Sequence, residues 1–250
     1  MASLPAGNCS EHRYTGGVVQ AIRRSLVSDE VFRVLCEDIL SGTYEPGEKL
    51  PTQRRLAAEL GVNMASVREA VKRLEQLRLV DVRHGDAMRV RDWRSDGGLD
   101  VIAHVLFRAG GLDKETLRSL LEARRLMLSE AARLAAERRS EDQARRLEEL
   151  ADRMAEKPDP ESAQALDFAF MSELVEAAGN VVFVLILNSI RELYFSRAEI
   201  FRAVAADPAE IAPLYRRAAR AVRAKAPGRA AGAVHDLAAL QERRLTEALE

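Results

Sequence analysis

Residues 46–90 read PGEKLPTQRRLAAELGVNMASVREAVKRLEQLRLVDVRHGDAMRV, and three physical patterns follow one another along them. Pro46-Gly47 is a turn, and Leu50-Pro51-Thr52 leads into a short helix on which Leu56, Ala57 and Leu60 recur at helical spacing. Gly61 stops that helix, Val62-Asn63 makes a tight turn, and the side-chain oxygen of Asn63 can cap the next helix. Val67, Ala70, Val71, Leu74 and Leu77 repeat on one face of this second helix, while Ala65, Arg68 and Lys72 share the opposite one. After Leu79 the period becomes alternating, with Val80 and Val82, a His84-Gly85-Asp86 loop, then Met88 and Val90, which is a hairpin signal. Helix, turn, helix and wing is the order required of a winged helix-turn-helix that reads DNA.

Charge supports this only locally. The whole chain carries a formal net charge of -1, which gives no hint of a polyanionic partner. From Lys49 to Arg91, however, ten Lys or Arg stand against five acids, a surplus of about five positive charges. A helix in the major groove needs side chains at its N-terminal end to reach base edges, with flanking cations and backbone N–H groups on phosphates. Asn63, Ser66 and Arg68 stand at that end. A basic helical face alone is commonly just solvated; here turn chemistry, helix and wing arrive in the required order, which favours DNA.

The run Tyr44-Glu45-Pro46-Gly47-Glu48-Lys49-Leu50-Pro51, then Arg54-Arg55-Leu56-Ala57 with Leu60-Gly61-Val62, then Val67-Arg68-Glu69-Ala70-Val71 with Arg73-Leu74, closely resembles the N-terminal domain of the GntR superfamily of bacterial regulators. The resemblance implies DNA contacts from Arg54 and Arg68, binding by Asn63 and Ser66 near the start of the recognition helix, and entry of His84-Gly85 at the wing tip into the minor groove. Lys72 continues the same cationic face. Many relatives carry an arginine in place of Met64, and a methionine cannot hydrogen-bond guanine bidentately, so the preferred operator is expected to differ.

A length of 250 residues and an apolar fraction of 47% suit two soluble domains. The longest strongly apolar run, Val181 to Leu187, is too short to span a bilayer, and no basic patch with an apolar core opens the chain as in a signal peptide. The two cysteines, Cys9 and Cys36, suit a reducing cytoplasm without structural disulfides, with Cys36 read as core. Residues 1–25 read as a flexible extension, 26–93 as the winged helix-turn-helix, 94–112 as a linker containing the glycine-bearing joint Arg94-Ser95-Asp96-Gly97-Gly98 and a short helix from Val101, and 113–250 as an all-α effector domain. Asp113 and Ser140 read as helix caps, Pro158-Asp159-Pro160 as a break, Gly179 as a stop, and a strongly apolar helix is expected from Asn180 to about Ala205. The expected fold is mostly α, a winged helix-turn-helix followed by a helical bundle.

Within the bundle, polar groups on apolar stripes carry the information, because a buried charge needs a partner. Arg124 falls on the line Leu117, Leu120, Leu121, Leu128 and Ala131, and an inward guanidinium is a natural clamp for a carboxylate or phosphate. Asp167 lies similarly between Ala163 and Met171. The two could instead pair with each other or snorkel to the surface. Asn188, Arg191 and Tyr194 interrupt the core-facing side of the apolar helix, and with Tyr215 are read as core hydrogen bonds or pocket wall.

Leu121-Glu122-Ala123-Arg124, Leu166-Asp167-Phe168, Glu176-Ala177-Ala178-Gly179-Asn180 and Leu185-Ile186-Leu187-Asn188-Ser189-Ile190-Arg191-Glu192-Leu193-Tyr194 resemble the effector domain of the FadR subfamily. Many members hold a divalent metal through one Asp and three His; Asp167 matches the former, while Met171, Tyr215 and Leu237 fall at the histidine positions, so no metal and no resident cofactor are expected. His235, close to the last of these, is read as an ordinary surface or core histidine. The resemblance implies a long-chain acyl-CoA or fatty acid as effector, and the polar residues on the apolar stripes, Arg124, Asp167, Asn188, Arg191, Tyr194 and Tyr215, are the candidates to bind it. By two-state linkage, a homodimer holding two readers over a palindromic operator in double-stranded DNA would lose DNA affinity on binding effector to the degree that DNA weakens effector binding, with derepression as the expected output. Two rivals are a metal-independent regulator sensing a small catabolic carboxylate through Arg124, and an enzyme acting on acyl-CoA. The second lacks any glycine-rich phosphate loop, nucleophile elbow or HExxH motif.

Overall fold

The computed structural model describes residues 23–82 and 88–249. They form two compact units, one of residues up to Gln76 with Val80–Val90, the other of Leu77–Leu79 with Arg91 onward.

The first unit contains α1 (Arg23–Ser41), α2 (Gln53–Glu59), α3 (Met64–Gln76) and the antiparallel strands β1 (Val80–Asp81) and β2 (Arg89–Val90). Thr52 caps α2 by accepting from the Arg55 amide at 3.2 Å. Gly61, at φ 64°, ends it in a left-handed turn in which the Val62 amide donates to the Ala57 carbonyl. That reversal carries Leu60 out to the surface, so the expected core position is exposed. Val67, Ala70, Val71 and Leu74 of α3 are buried, as are Phe32, Leu35, Cys36 and Ile39 of α1, the helix packed against it. Leu77 lies beyond the end of α3 and is only half-buried. The strands pair Val80 with Val90 and Asp81 with Arg89. The wing-tip residues His84 and Gly85, and residues 1–22 of the expected extension 1–25, lie outside the described residues, while residues 23–25 belong to α1.

The second unit begins with α4 (Trp93–Asp96), a 3₁₀ turn (Leu99–Val101) and α5 (Ile102–Leu106). A small hairpin of β3 (Phe107–Arg108) and β4 (Gly111–Leu112) follows, pairing Phe107 with Leu112. The segment 94–112, expected as a linker with one short helix, carries the hairpin and α4 as well: Asp92 caps α4, and Gly111 adopts φ 103° at the hairpin turn. Seven helices complete the bundle: α6 (Lys114–Arg138), α7 (Glu141–Ala155), α8 (Pro160–Ala177), α9 (Val181–Ser196), α10 (Ala198–Phe201), α11 (Pro208–Arg223) and α12 (Pro227–Glu247).

Each break has a local cause. Asp113 accepts from the Thr116 amide at 2.7 Å, and these hydrogen bonds hold its carboxyl below the usual carboxylate range. Ser140 and Gln143 form a reciprocal capping box, and Asp159 accepts from the Glu161 and Ser162 amides. Gly179, at φ 62°, ends α8. The expected long helix after Asn180 stops instead at Ser196, because Arg197 leaves helical geometry before α10 and a 3₁₀ turn over Arg202–Ala205. The core gathers Leu121 and Leu128 of α6, Leu147 of α7, Leu174 of α8, Ile211 of α11 and Leu237 of α12. No helix of the described residues is long and apolar enough to cross a membrane.

Candidate nucleic-acid interface and effector site

Asn63 positions the start of α3: its side-chain oxygen accepts from the Ser66 amide at 2.9 Å and from the Ser66 hydroxyl at 3.3 Å. Ser66 is thus buried and bound inward, so it fixes Asn63 instead of reaching outward itself. This corrects its reading as a direct contact. Asn63 keeps its amide N–H groups for an outside partner. Met64, Arg68 and Lys72 are exposed and fall one turn apart, forming a single stripe.

The cations of this unit divide into two sets. Arg55 is tied to Glu59 at 2.7 Å, and Arg73 to Asp29 at 2.5 Å while stacked 4.0 Å from the centre of the Phe32 ring. Arg54, Arg68 and Lys72 are exposed and pair with no carboxylate among the described residues. The pairing of Arg55 and Arg73 thus lies off the recognition stripe, and charge on that stripe is left for phosphates.

In the bundle, four helices converge on Asp167 of α8. The Tyr215 hydroxyl of α11 donates to Oδ1 at 2.5 Å, and Nε2 of Gln241 on α12 to the same oxygen at 2.7 Å. The Tyr194 hydroxyl of α9 donates to Oδ2 at 2.7 Å. Gln241 also donates to the Tyr215 hydroxyl at 3.0 Å and accepts from Nη2 of Arg124 at 2.8 Å, leaving that nitrogen 3.9 Å from Asp167 Oδ2. Gln164, one turn before Asp167, donates to the Tyr194 carbonyl at 2.8 Å. Burial first, then the Asp167 charge, pushes both phenols well above their usual pKa, so they remain protonated donors.

Arg124, Asp167, Tyr194 and Tyr215 are therefore brought together. Asn188 and Arg191 are not: both are exposed on α9, bonded weakly to each other at 3.5 Å, with Arg191 resting 4.9 Å from the Phe168 ring centre. The reason is that α9 buries only Leu187, Leu193 and Tyr194, so the expected core-facing side is turned outward; Val181 is 68% and Leu185 60% exposed. The residue missed by sequence reasoning is Gln241, fully buried where Leu237 was expected to face Asp167. Its signal was available, since Gln241 interrupts the repeat Ala230, Val234, Leu237, Ala238 and Leu245.

This donor set does not fit a transition metal. One carboxylate faces two phenols and an amide nitrogen that present protons, not lone pairs, and both of its oxygens are occupied by them. His235 instead meets Arg125 at 3.3 Å. No group of three or more His, Cys, Asp or Glu capable of holding a metal occurs among the described residues.

Residues 27–90 match the family of bacterial regulatory proteins called gntR, and residues 119–239 match the FCD domain. The chain is 37% identical over 231 residues to the HTH-type transcriptional regulator Mce2R of Mycobacterium tuberculosis, covering 92% of this chain and 96% of that one. It is 28% identical over 160 residues to the fatty acid metabolism regulator protein of Erwinia tasmaniensis, covering 64% and 66%. The solved structure of E. coli McbR/YncC shares the fold, with a TM-score of 0.50 at 19% identity over 90% of this chain and 99% of that one. The chain belongs to the GntR family of bacterial regulatory proteins and carries an FCD domain. It is a DNA-binding transcriptional regulator whose second unit is the effector domain.

Proposed function

We propose that this regulator binds a palindromic operator as a homodimer, beside the fatty-acid-responsive FadR-type members of its family, and releases it when a fatty acid or long-chain acyl-CoA occupies the FCD bundle without a metal. One observation carries the effector reading. Arg124 is largely buried, donates only to the Gln241 amide oxygen, and its other N–H groups have no acceptor among the described residues. Asp167 at 3.9 Å supplies the Arg124 counter-charge, and the remaining N–H groups of Arg124, none of them buried without a partner, are the donors offered to an anionic head group. Phe168, Tyr194 and Phe201 form a buried chain of ring contacts beside Asp167, with Phe195 exposed at its edge, so an acyl chain would have to displace packed rings there. The name of the Erwinia relative agrees with a lipid signal. The rival small carboxylate is favoured by the same arginine and by how tightly the polar cluster closes around it.

Operator fragments from footprinting, titrated by fluorescence anisotropy with and without oleoyl-CoA, oleate and small organic acids, test the reading. Oleoyl-CoA or oleate is expected to weaken operator binding by about 5–150-fold and to be recovered unchanged. Weakening by small acids alone would transfer the role to the rival. In the same assay Arg68→Ala is expected to lower affinity about 5–150-fold if it reads a base, whereas Lys72→Ala lowers it for all sequences and reduces the salt slope by about one. Unchanged binding by both variants would remove α3 from the interface. Arg54, Asn63 and Met64 complete the proposed contact set, together with the wing residues His84 and Gly85.

A further inference from the structure

The outer faces of α11 and α12 border a surface groove of about 700 Å³, within the size range of small-molecule sites. Arg216, Arg217 and Arg220 line it from α11 and Arg229 from α12, over a floor that includes Ala221 and Ala233. Charge there is not balanced internally. The acids around it are each taken: Asp152 by Arg216 at 2.7 Å, Asp236 by Arg217, and Glu148 by Arg223 at 3.4 Å. Arg220 and Arg229 pair with no carboxylate among the described residues.

A second observation is independent of charge. Gly232 lines the groove from inside α12, and a Cβ built there meets nothing within 4 Å. Glycine in a helix interior costs about 1 kcal/mol relative to alanine, and no close approach inside the protein demands it here. A large side chain at this position would enter the space of the groove. α12, which contributes Arg229 from its first turn, also begins without a side-chain cap.

We propose that this groove binds a phosphorylated small molecule, with a diphosphate held by the guanidinium forks of Arg220 and Arg229. Two sources share that chemistry, a free nucleotide and the CoA portion of a thioester; the inference stands if the acyl-CoA reading fails, because a nucleotide satisfies it equally. Calorimetric titration of the full chain with inorganic pyrophosphate, ADP and CoA, with succinate as a charge control, tests it. Pyrophosphate and at least one of ADP and CoA are expected to bind, which of the two identifying the source, and succinate is not. Arg220→Ala combined with Arg229→Ala is expected to lower affinity about a hundredfold, roughly tenfold for each charged hydrogen-bond set lost. Gly232→Leu is expected to abolish binding while keeping the helical circular dichroism, since leucine is the better helix former.

Failure of all three phosphates to bind, equal binding of succinate, or indifference to the double arginine variant would each overturn the site. A loss of duplex DNA retention in the double variant, with no small phosphate bound, would assign the groove to nucleic acid and overturn it as well.

Discussion

Asp167→Ala is expected to destabilise the FCD bundle by about 3–5 kcal/mol, the range for removing one partner of a buried charged pair. The substitution leaves Arg124 without its nearby counter-charge and orphans the hydroxyl donors of Tyr194 and Tyr215 and one N–H of Gln241, which meet on a carboxylate only 2% exposed. Each orphaned donor costs far more than the hydrogen bond was worth, because its water was given up on folding. Thermal unfolding followed by circular dichroism should show the midpoint falling by about 10 °C or more. Tyr194→Phe and Tyr215→Phe each remove one donor and keep the anion, so about 1 kcal/mol is expected from either. A loss below about 3 kcal/mol for Asp167→Ala would mean that the cluster does not hold α8 to the helices that converge on it.

The same cluster sets an alkaline limit. Both phenols have pKa values raised in the fold, by burial and then by Asp167. Their stabilising contribution is fully present below about pH 10, where an unfolded tyrosine is still protonated, and is lost as pH rises toward the folded values. The double phenylalanine variant should lose less stability than the parent across that range.

What was legible in the sequence follows from what is local. Gly61 and Asn63 act within one turn of themselves, so the reader's helix boundaries and the cap on α3 could be read from the chain, as could the caps Asp113, Ser140 and Asn180. Asp167 and Arg124 announced themselves as charges on apolar stripes. Their meeting through Gln241 did not, because that contact joins residues 74 and 117 positions apart and depends on how α6, α8 and α12 are rotated about their axes. Rotation also explains α9: its first half, Val181 to Leu187, is apolar on every side and carries no periodic signal for which face is inward, so Asn188 and Arg191 were placed on the wrong one. Ser66 was misread for a different reason, since a hydroxyl at a helix start serves capping geometry and outside partners equally well until its hydrogen bond is seen.

Met171→His, Tyr215→His and Gln241→His together are expected to turn the cluster into a zinc site. Met171 is buried one turn beyond Asp167 on the same face of α8, and Tyr215 and Gln241 already direct their ends to one carboxylate oxygen. An imidazole ends short of where a phenol hydroxyl reaches, which opens room for a cation bound at about 2.0–2.2 Å from nitrogen and oxygen ligands. Tyr194 is unchanged and still donates to the other oxygen of Asp167, the kind of outer hydrogen bond that orients a ligating carboxylate. One zinc per chain should be retained through gel filtration, and zinc at about a thousandfold above its dissociation constant should stabilise the triple variant by about 4 kcal/mol, with no effect on the parent. Arg124 opposes the incoming charge from its position 3.9 Å from Asp167, so adding Arg124→Gln should tighten binding further. A folded triple variant that takes up no zinc would show that Asp167, Met171, Tyr215 and Gln241 do not surround a common point, and the placement of Gln241 as the α12 member of the cluster would fall with it.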